Sequence, residues 1–120
     1  AEEYWRSLMA YGANLLGLLG QRHCVQLDRM LHEEARRSPD LIRQFYDAAY
    51  GRCHREVTAL IRFGQSQGFV RKPQAAEDLA DNLVSMWEGL GYVRTRLGLA
   101  SRPYRDPAAW SRHCVEALFG

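Results

Sequence analysis

The sequence predicts an all-α fold, a helical bundle of five to six helices that forms a single domain over residues 1–120. Apolar residues recur every three to four positions along almost the whole chain, and no stretch alternates at period two for long. Signals that stop and restart helices separate these periodic segments. With 47% hydrophobic and 25% charged residues, the 120-residue chain has the composition of one ordinary globular domain.

The first two helices are predicted over residues 2–19 and 23–37. The apolar stripe of the first includes Trp5, Leu8 and Leu16, and Gly20 supplies its stop. The second ends in "EEARRSP", where glutamates and arginines side by side raise the question of a reactive acid–base cluster. Arginines one turn away favour ordinary ionised carboxylates, so we interpret these charges as pairs on a solvated helix face. The predicted pairs are Arg29–Glu33, Glu33–Arg37 and Glu34–Arg37.

A third helix is predicted to restart directly after this cluster. Pro39 disfavours the helical conformation at Ser38, and the order Ser38, Pro39, Asp40 is typical of an N-cap followed by a first helical turn. The apolar stripe then continues through Gly51, which predicts one long helix over 39–67 and leaves open a kink or break near that glycine.

The last two helices are predicted over 74–97 and 106–118. The first of them is apolar around much of its circumference, so it must be covered on more than one side. Its own domain can cover only part of it, which implies a partner chain. Asp106 is predicted as the N-cap of the final helix, and Pro107 as its first helical residue.

Catalytic and metal-binding motifs are weak in this sequence. No GxSxG elbow or glycine-rich phosphate loop is present, and close approach between helices explains the glycines of "GLGYVRTRLG" (89–98). The rival hypothesis is a small helical metal-binding protein or enzyme that uses His23, His32, Cys53 or His54. Their spacing is poor for zinc ligands, so we favour buried structural cysteines, no metal, no cofactor and no catalytic residues.

Charge and cysteine usage bear on the cell compartment and the partners. The net charge of +2 is small and its arginines are scattered, which argues against direct nucleic-acid binding by this segment. Three widely spaced cysteines without a CxxC pair indicate reduced thiols in the cytoplasm. We find no signal peptide, and the longest apolar run, "LLGLLG", is too short for a membrane span. Because the chain starts at Ala1, we expect that residues upstream are missing.

One long stretch resembles a known family. The segment "PDLIRQFYDAAYGRCHREVTALIRFGQSQGFVR", followed by "AAEDLADNLVSMWEGLGYVRTRLG" with its acidic-glycine step at Glu88 and Gly89, resembles the C-terminal domain of TetR-type transcriptional regulators. The resemblance extends over the chain from about Leu8. Each motif is weak alone, and their combination is specific.

The resemblance implies a domain that binds an effector and forms a homodimer, while a separate N-terminal helix-turn-helix domain, absent from this chain, binds DNA. It further implies that helices 74–97 and 106–118 build a four-helix dimer interface, and that a cavity lies among the first, second, third and 74–97 helices. The effector would be small and apolar or amphipathic, and its binding would shift the dimer between two states of different operator affinity. A helical adaptor that binds a different protein is the remaining alternative.

Two groups of candidate residues follow from these interpretations. The ligand-binding candidates are Met30, Phe45, Tyr46, Tyr50, Leu60, Leu83, Met86 and Trp87. The dimer-interface candidates are Leu79, Val84, Leu90, Gly91, Trp110, Cys114 and Leu118.

Overall fold

The computed structural model describes residues 1–120, and it is 78% helical without strands. This confirms the predicted all-α class. The helices are α1 (Glu2–Leu19), α2 (Arg22–Glu34), α3 (Pro39–Tyr46), a π-helical turn (Asp47–Gly51), α4 (Arg52–Ser66), α5 (Ala76–Arg96) and α6 (Pro107–Phe119). None of these helices combines the length and apolar character needed to cross a membrane.

The core lies where α1, α5 and α6 meet. Leu8, Leu16 and Trp87 are fully buried there. At Gly12 the helices approach so closely that an added Cβ would overlap Trp87 and Ser111. The Ser111 hydroxyl donates a hydrogen bond to the backbone carbonyl of Met9 at 2.7 Å. The missing side chain at position 12 therefore sets the distance between α1 and the other two helices.

The long third helix of the prediction is one continuous rod, 39–66, in which a π-helical turn separates α3 from α4. Gly51 keeps helical dihedral angles (φ −61°, ψ −42°), so the chain neither breaks nor leaves the helical conformation at the glycine. Ser38 precedes Pro39 as expected, but its side chain makes no capping hydrogen bond. The sequence indicated an irregularity in this region, and the structure shows that it is one wider turn.

Helix α5 contains a break that the sequence analysis did not predict. Gly89 adopts φ 63° and ψ 179°, outside the helical region. The interruption frees backbone carbonyls that side chains then satisfy: Trp110 Nε1 donates to the carbonyl of Trp87 at 2.9 Å, and the Tyr104 hydroxyl donates to that of Glu88 at 3.0 Å. The break thus fixes α6 and the preceding loop against the middle of α5.

The glycines of the "GLGYVRTRLG" stretch have a different role from the predicted one. An added Cβ at Gly91 would overlap the backbone carbonyl of Pro103, so the close approach within the chain is to the loop before α6 and not to another helix. In α6 itself the prediction is confirmed. Asp106 is the N-cap, its side chain accepts a hydrogen bond from the Ala109 amide at 3.1 Å, and Pro107 opens the helix.

The charges at the end of α2 are only partly as predicted. Glu34 and Arg37 approach to 3.8 Å on the exposed surface. Arg29 does not pair with Glu33; its guanidinium donates to the carbonyls of Thr95 and Arg96, each at 2.8 Å. A cation at the carbonyl end of α5 is electrostatically favourable. Arg29 therefore links α2 to the end of α5.

Candidate functional site

A cavity of about 480 Å³ lies among α1, α2, the 39–66 rod and α5. This volume is within the range of small-molecule pockets, roughly 300–1,000 Å³. Thirteen of its 17 lining residues are hydrophobic. Those on the aliphatic side are Leu15, Leu18, Leu19, Leu27, Ala48, Ala49 and Val84. The cavity thus occupies the space among the helices that the family resemblance named.

The π-helical turn forms one wall of this cavity. Ala48, Ala49 and Tyr50 all belong to the turn and all line the cavity, together with Phe45 from the preceding helical turn. A π-helical turn adds one residue to a helical turn, which changes the directions in which the following side chains point. The irregularity therefore places small alanines beside two aromatic rings at the cavity wall.

One polar group in the lining is a hydrogen-bonded trio. The Tyr11 hydroxyl donates to Glu56 Oε2 at 3.1 Å, and Arg52 Nε donates to Glu56 Oε1 at 2.8 Å. The hydrogen bonds from Arg52 and Tyr11 lower the pKa of Glu56. Burial, followed by its contacts with Cys53 and Glu56, raises the pKa of Tyr11. The trio is therefore an ionised carboxylate held by its own cation and a neutral phenol.

A second polar group contains two carboxylates, Asp28 and Glu88, and two phenols, Tyr50 and Tyr92. The Asp28 side chain is 13% exposed, and its buried Oδ2 has no hydrogen-bond partner. Burial, with the carboxylates of Asp28 and Glu88, raises the pKa of Tyr92 to about 12. Burial and Glu88 also raise the pKa of Tyr50. Both phenols are therefore neutral at physiological pH.

A shallower groove of about 340 Å³ adjoins the cavity and shares Asp28, Tyr50, Val84 and Glu88 with it. Tyr46 lies in this groove and stacks on Tyr50, with 6.0 Å between the ring centroids. His54 closes the far side, where its Nε2 lies 2.9 Å from Asp81 Oδ1. Tyr50 is thus one of the residues that lie between the apolar cavity and the polar groove.

The cysteines are all free thiols. Cys24 and Cys53 line the cavity, whereas Cys114 is buried in α6. Burial raises the pKa of Cys53, and it raises that of Cys114 to about 11. No group of three or more His, Cys, Asp or Glu side chains has the arrangement of a metal site.

The ligand-binding candidates fall into three sets in the structure. Phe45 and Tyr50 line the cavity, and Tyr46 lines the adjoining groove. Four others form or abut the core behind the cavity: Leu83 and Trp87, both fully buried, and the half-buried Leu60 and Met86. Met30 is 61% exposed and lies outside the lining.

Sequence reasoning missed the polar lining residues Tyr11, Asp28, Glu56, Glu88 and Tyr92. A signal for some of them was present. Val84 and Glu88 are four residues apart on α5 before the break at Gly89, as are Cys24 and Asp28 on α2, so each pair shares one helix face. An acidic residue in line with apolar neighbours on one face indicates a wall that is partly polar.

The interface candidates are also divided. Leu79 and Cys114 are each 1% exposed and belong to the core of this chain. Val84 lines the cavity, and Leu118 packs against the core. The remaining three lie on or beside an open surface: Leu90 at 67% exposure, Trp110 at 38%, and Gly91 against the loop that precedes α6.

The helices and the cavity define an all-α domain that has, beside its core, a mostly apolar space large enough for a small molecule. Residues 6–117 match a family model described as the C-terminal domain of AefR-like transcriptional repressors. The chain belongs to this family, and it is therefore a regulatory domain of a TetR-type transcriptional regulator. No curated protein and no solved structure matches it.

Proposed function

We propose that the chain is the effector-binding and homodimerisation domain of a ligand-responsive TetR-type regulator, and that it is not an enzyme. The observation that carries the proposal is the cavity of about 480 Å³, in which 13 of the 17 lining residues are hydrophobic. Apolar walls with a few polar groups are typical of sites that bind small apolar or amphipathic molecules. DNA binding is assigned to a helix-turn-helix domain outside these 120 residues.

Dimerisation is assigned to the surface formed by the second half of α5, the loop after it and α6. Large apolar side chains are exposed there: Leu90, Leu97, Leu99 and Trp110. A groove of about 520 Å³ between the α5 break and α6 adjoins them, and it is lined in part by Gly91, Tyr104 and Trp110. Apolar surface of this kind is typical of protein–protein interfaces.

The cavity and this surface share the break in α5, which suggests how binding would be transmitted. Glu88 lines the cavity, and its backbone carbonyl accepts the hydrogen bond from Tyr104 beside the proposed interface. A ligand that binds more tightly to one arrangement of α5 would shift the population of dimers toward it. The spacing of the two DNA-binding domains, and hence operator affinity, would change with that population.

Ligand binding can be tested with N-phenyl-1-naphthylamine, a neutral probe whose fluorescence increases in an apolar site. Ala49 lies on the cavity wall, so Ala49→Trp places a large side chain in the space where the probe would bind. We expect saturable binding by the wild type and at least about tenfold weaker binding by the variant.

The matched control is Ala59→Trp, at an exposed position on α4 outside the cavity lining. Circular dichroism would verify that both variants fold. The proposal of a ligand cavity fails if the wild type does not bind the probe, or if Ala49→Trp and Ala59→Trp bind it equally well.

A further inference from the structure

The polar end of the cavity carries an excess of negative charge. Four charged side chains line the cavity: Asp28, Glu56 and Glu88 are carboxylates, and Arg52 is the one cation. Arg52 is already paired with Glu56 at 2.8 Å. Two carboxylates, Asp28 and Glu88, therefore remain in the lining without a cation from the lining itself.

The nearest basic side chains outside the lining make no hydrogen bond to these carboxylates. Asp28 Oδ2 lies 3.6 Å from His32 Nε2 and 3.7 Å from Arg96, beyond the roughly 2.7–2.9 Å of a charge-assisted hydrogen bond. The same oxygen is buried and has no hydrogen-bond partner. Glu88 takes part in none of the ion pairs of the chain.

A carboxylate without a close counter-charge is costly to bury, and Arg96 approaches Asp28 only to 3.7 Å. A ligand that places a positive charge beside Asp28 and Glu88 therefore lowers this cost. A carboxylate ligand would instead meet charges of its own sign. A neutral ligand would fill the apolar space and leave Asp28 as it is. The charge distribution therefore discriminates among three classes of ligand that the same apolar walls would accept.

Aromatic rings lie at the same end of the cavity. Burial raises the pKa of Tyr50 and of Tyr92, and the carboxylates of Asp28 and Glu88 are close enough to both phenols to raise it further. Phe45 also lines the cavity. The face of an aromatic ring attracts a cation, most strongly where water is excluded, and quaternary ammonium groups are commonly bound in this way. Because both phenols remain neutral, they contribute ring faces to the site, and the negative charge there comes from Asp28 and Glu88.

We propose that the effector is an amphipathic organic cation whose charged group lies beside Asp28 and Glu88, among these rings, and whose apolar part packs on the leucines of α1 and α2. This inference rests on the proposed function, since it assigns a chemical class to the ligand of the same cavity. Leu15, Leu18 and Leu27 supply the apolar contact surface.

The test is a competition experiment in which three ten-carbon compounds displace N-phenyl-1-naphthylamine from the 120-residue chain. The compounds are decyltrimethylammonium, 1-decanol and decanoate, each below the concentration at which it forms micelles or separates from solution. The apolar part is the same in all three, so differences in affinity report on the charge. We expect the cation to displace the probe at about tenfold lower concentration than the other two.

Two variants and one control connect this preference to the carboxylates. Glu88→Gln and Asp28→Asn each remove one charge from the cavity with little change in shape, and each should weaken binding of the cation by about tenfold while 1-decanol binds as before. Glu33→Gln makes the same change of net charge at an exposed position on α2 outside the cavity. It should leave all three affinities unchanged.

The outcomes separate this inference from the proposed function. If the probe binds in the cavity but 1-decanol or decanoate displaces it as well as the cation does, the assignment to cations is wrong and the ligand cavity stands. The same holds if neither Glu88→Gln nor Asp28→Asn, both folded by circular dichroism, weakens binding of the cation. If the probe fails to bind the wild-type cavity, both proposals are wrong.

Discussion

At the scale of single residues, the three thiols report on three different environments. Cys24 is partly exposed at the cavity, Cys53 is buried at the cavity wall, and Cys114 is 1% exposed within α6. The thiolate is the reactive form, and a raised pKa lowers its fraction at any given pH. With its pKa raised to about 11, Cys114 is only about one part in a thousand thiolate at pH 8.

We therefore expect Ellman's reagent at pH 8 to modify Cys24 quickly in the folded chain, and Cys53 and Cys114 only on unfolding. A stopped-flow absorbance trace should show one fast thiol, and all three should react in guanidinium chloride. The variant Cys24→Ser should lose the fast phase. A fast phase that persists in this variant would show that one of the other two thiols is accessible.

The candidate site was only partly predictable at this scale. Phe45 and Tyr50 could be selected because aromatic residues with a polar atom suit the wall of an amphipathic cavity. Asp28 and Glu88 share helix faces with Cys24 and Val84, but that spacing alone could not select them, because a carboxylate on an amphipathic helix has the same sequence pattern whether water or a neighbouring helix covers it. Trp87 and Leu83 were predicted to line the cavity but lie in the core. The sequence does not separate the two places, since an apolar residue at helical spacing fits the core as well as a cavity.

At the scale of secondary-structure elements, the break in α5 is the feature with the clearest energetic consequence. Gly89 has φ 63° and ψ 179°, a conformation that is essentially restricted to glycine. A Cβ there would lie 3.5 Å from the Trp110 ring, an ordinary contact, so the cost of a side chain is backbone strain and not steric overlap.

Gly89→Ala should therefore destabilise the domain by about 1–3 kcal/mol in urea unfolding. Gly17→Ala is the matched control, because Gly17 is exposed within α1 and a Cβ there meets nothing within 4 Å. Removing a glycine from a regular helix should stabilise by about 0.5–1 kcal/mol. Equal effects at the two positions would contradict the assignment of strain to Gly89.

The irregular elements were the part of the fold that the sequence predicted least well. Helix ends follow from local chemistry most clearly at Asp106, whose side chain caps α6, whereas Gly20 follows α1 with right-handed dihedral angles (φ −75°, ψ −10°). The break at Gly89 depends on Tyr104 and Trp110, whose side chains satisfy the freed carbonyls from 16 and 23 positions away along the chain. Local sequence does not contain that information, because a glycine in an apolar helix is equally compatible with a regular turn.

At the scale of the whole molecule, the apolar periodicity predicted the fold class and the number of helical rods. It overestimated the apolar surface of α5 that the chain itself leaves exposed. Helix α5 is apolar on several sides, and the structure buries Leu79, Leu83 and Trp87 within the same chain. The apolar surface that remains exposed begins at Leu90 and continues to Leu97 and Leu99, which are 66% and 76% exposed. Any partner chain is therefore expected at this end of α5.

The final prediction concerns the association of two chains through this surface. Leu90→Asp places a charge at a position that is 67% exposed in the single chain, so the variant should fold normally. In a dimer interface the same charge would lose its hydration. We therefore expect the dissociation constant of the dimer to be at least about tenfold higher for the variant than for the wild type. Sedimentation equilibrium at several concentrations measures this directly.

Leu41→Asp is the control, because Leu41 is 49% exposed on α3, away from α5 and α6. Since a dimer is stabilised by mass action, the melting temperature of the wild type and of Leu41→Asp should rise with protein concentration, while that of Leu90→Asp should not. A wild-type chain that sediments as a monomer at tens of micromolar would contradict the homodimer. A Leu90→Asp variant that dimerises normally would move the interface elsewhere on the molecule, with the exposed leucines of α1 and α2 as the next surface to test.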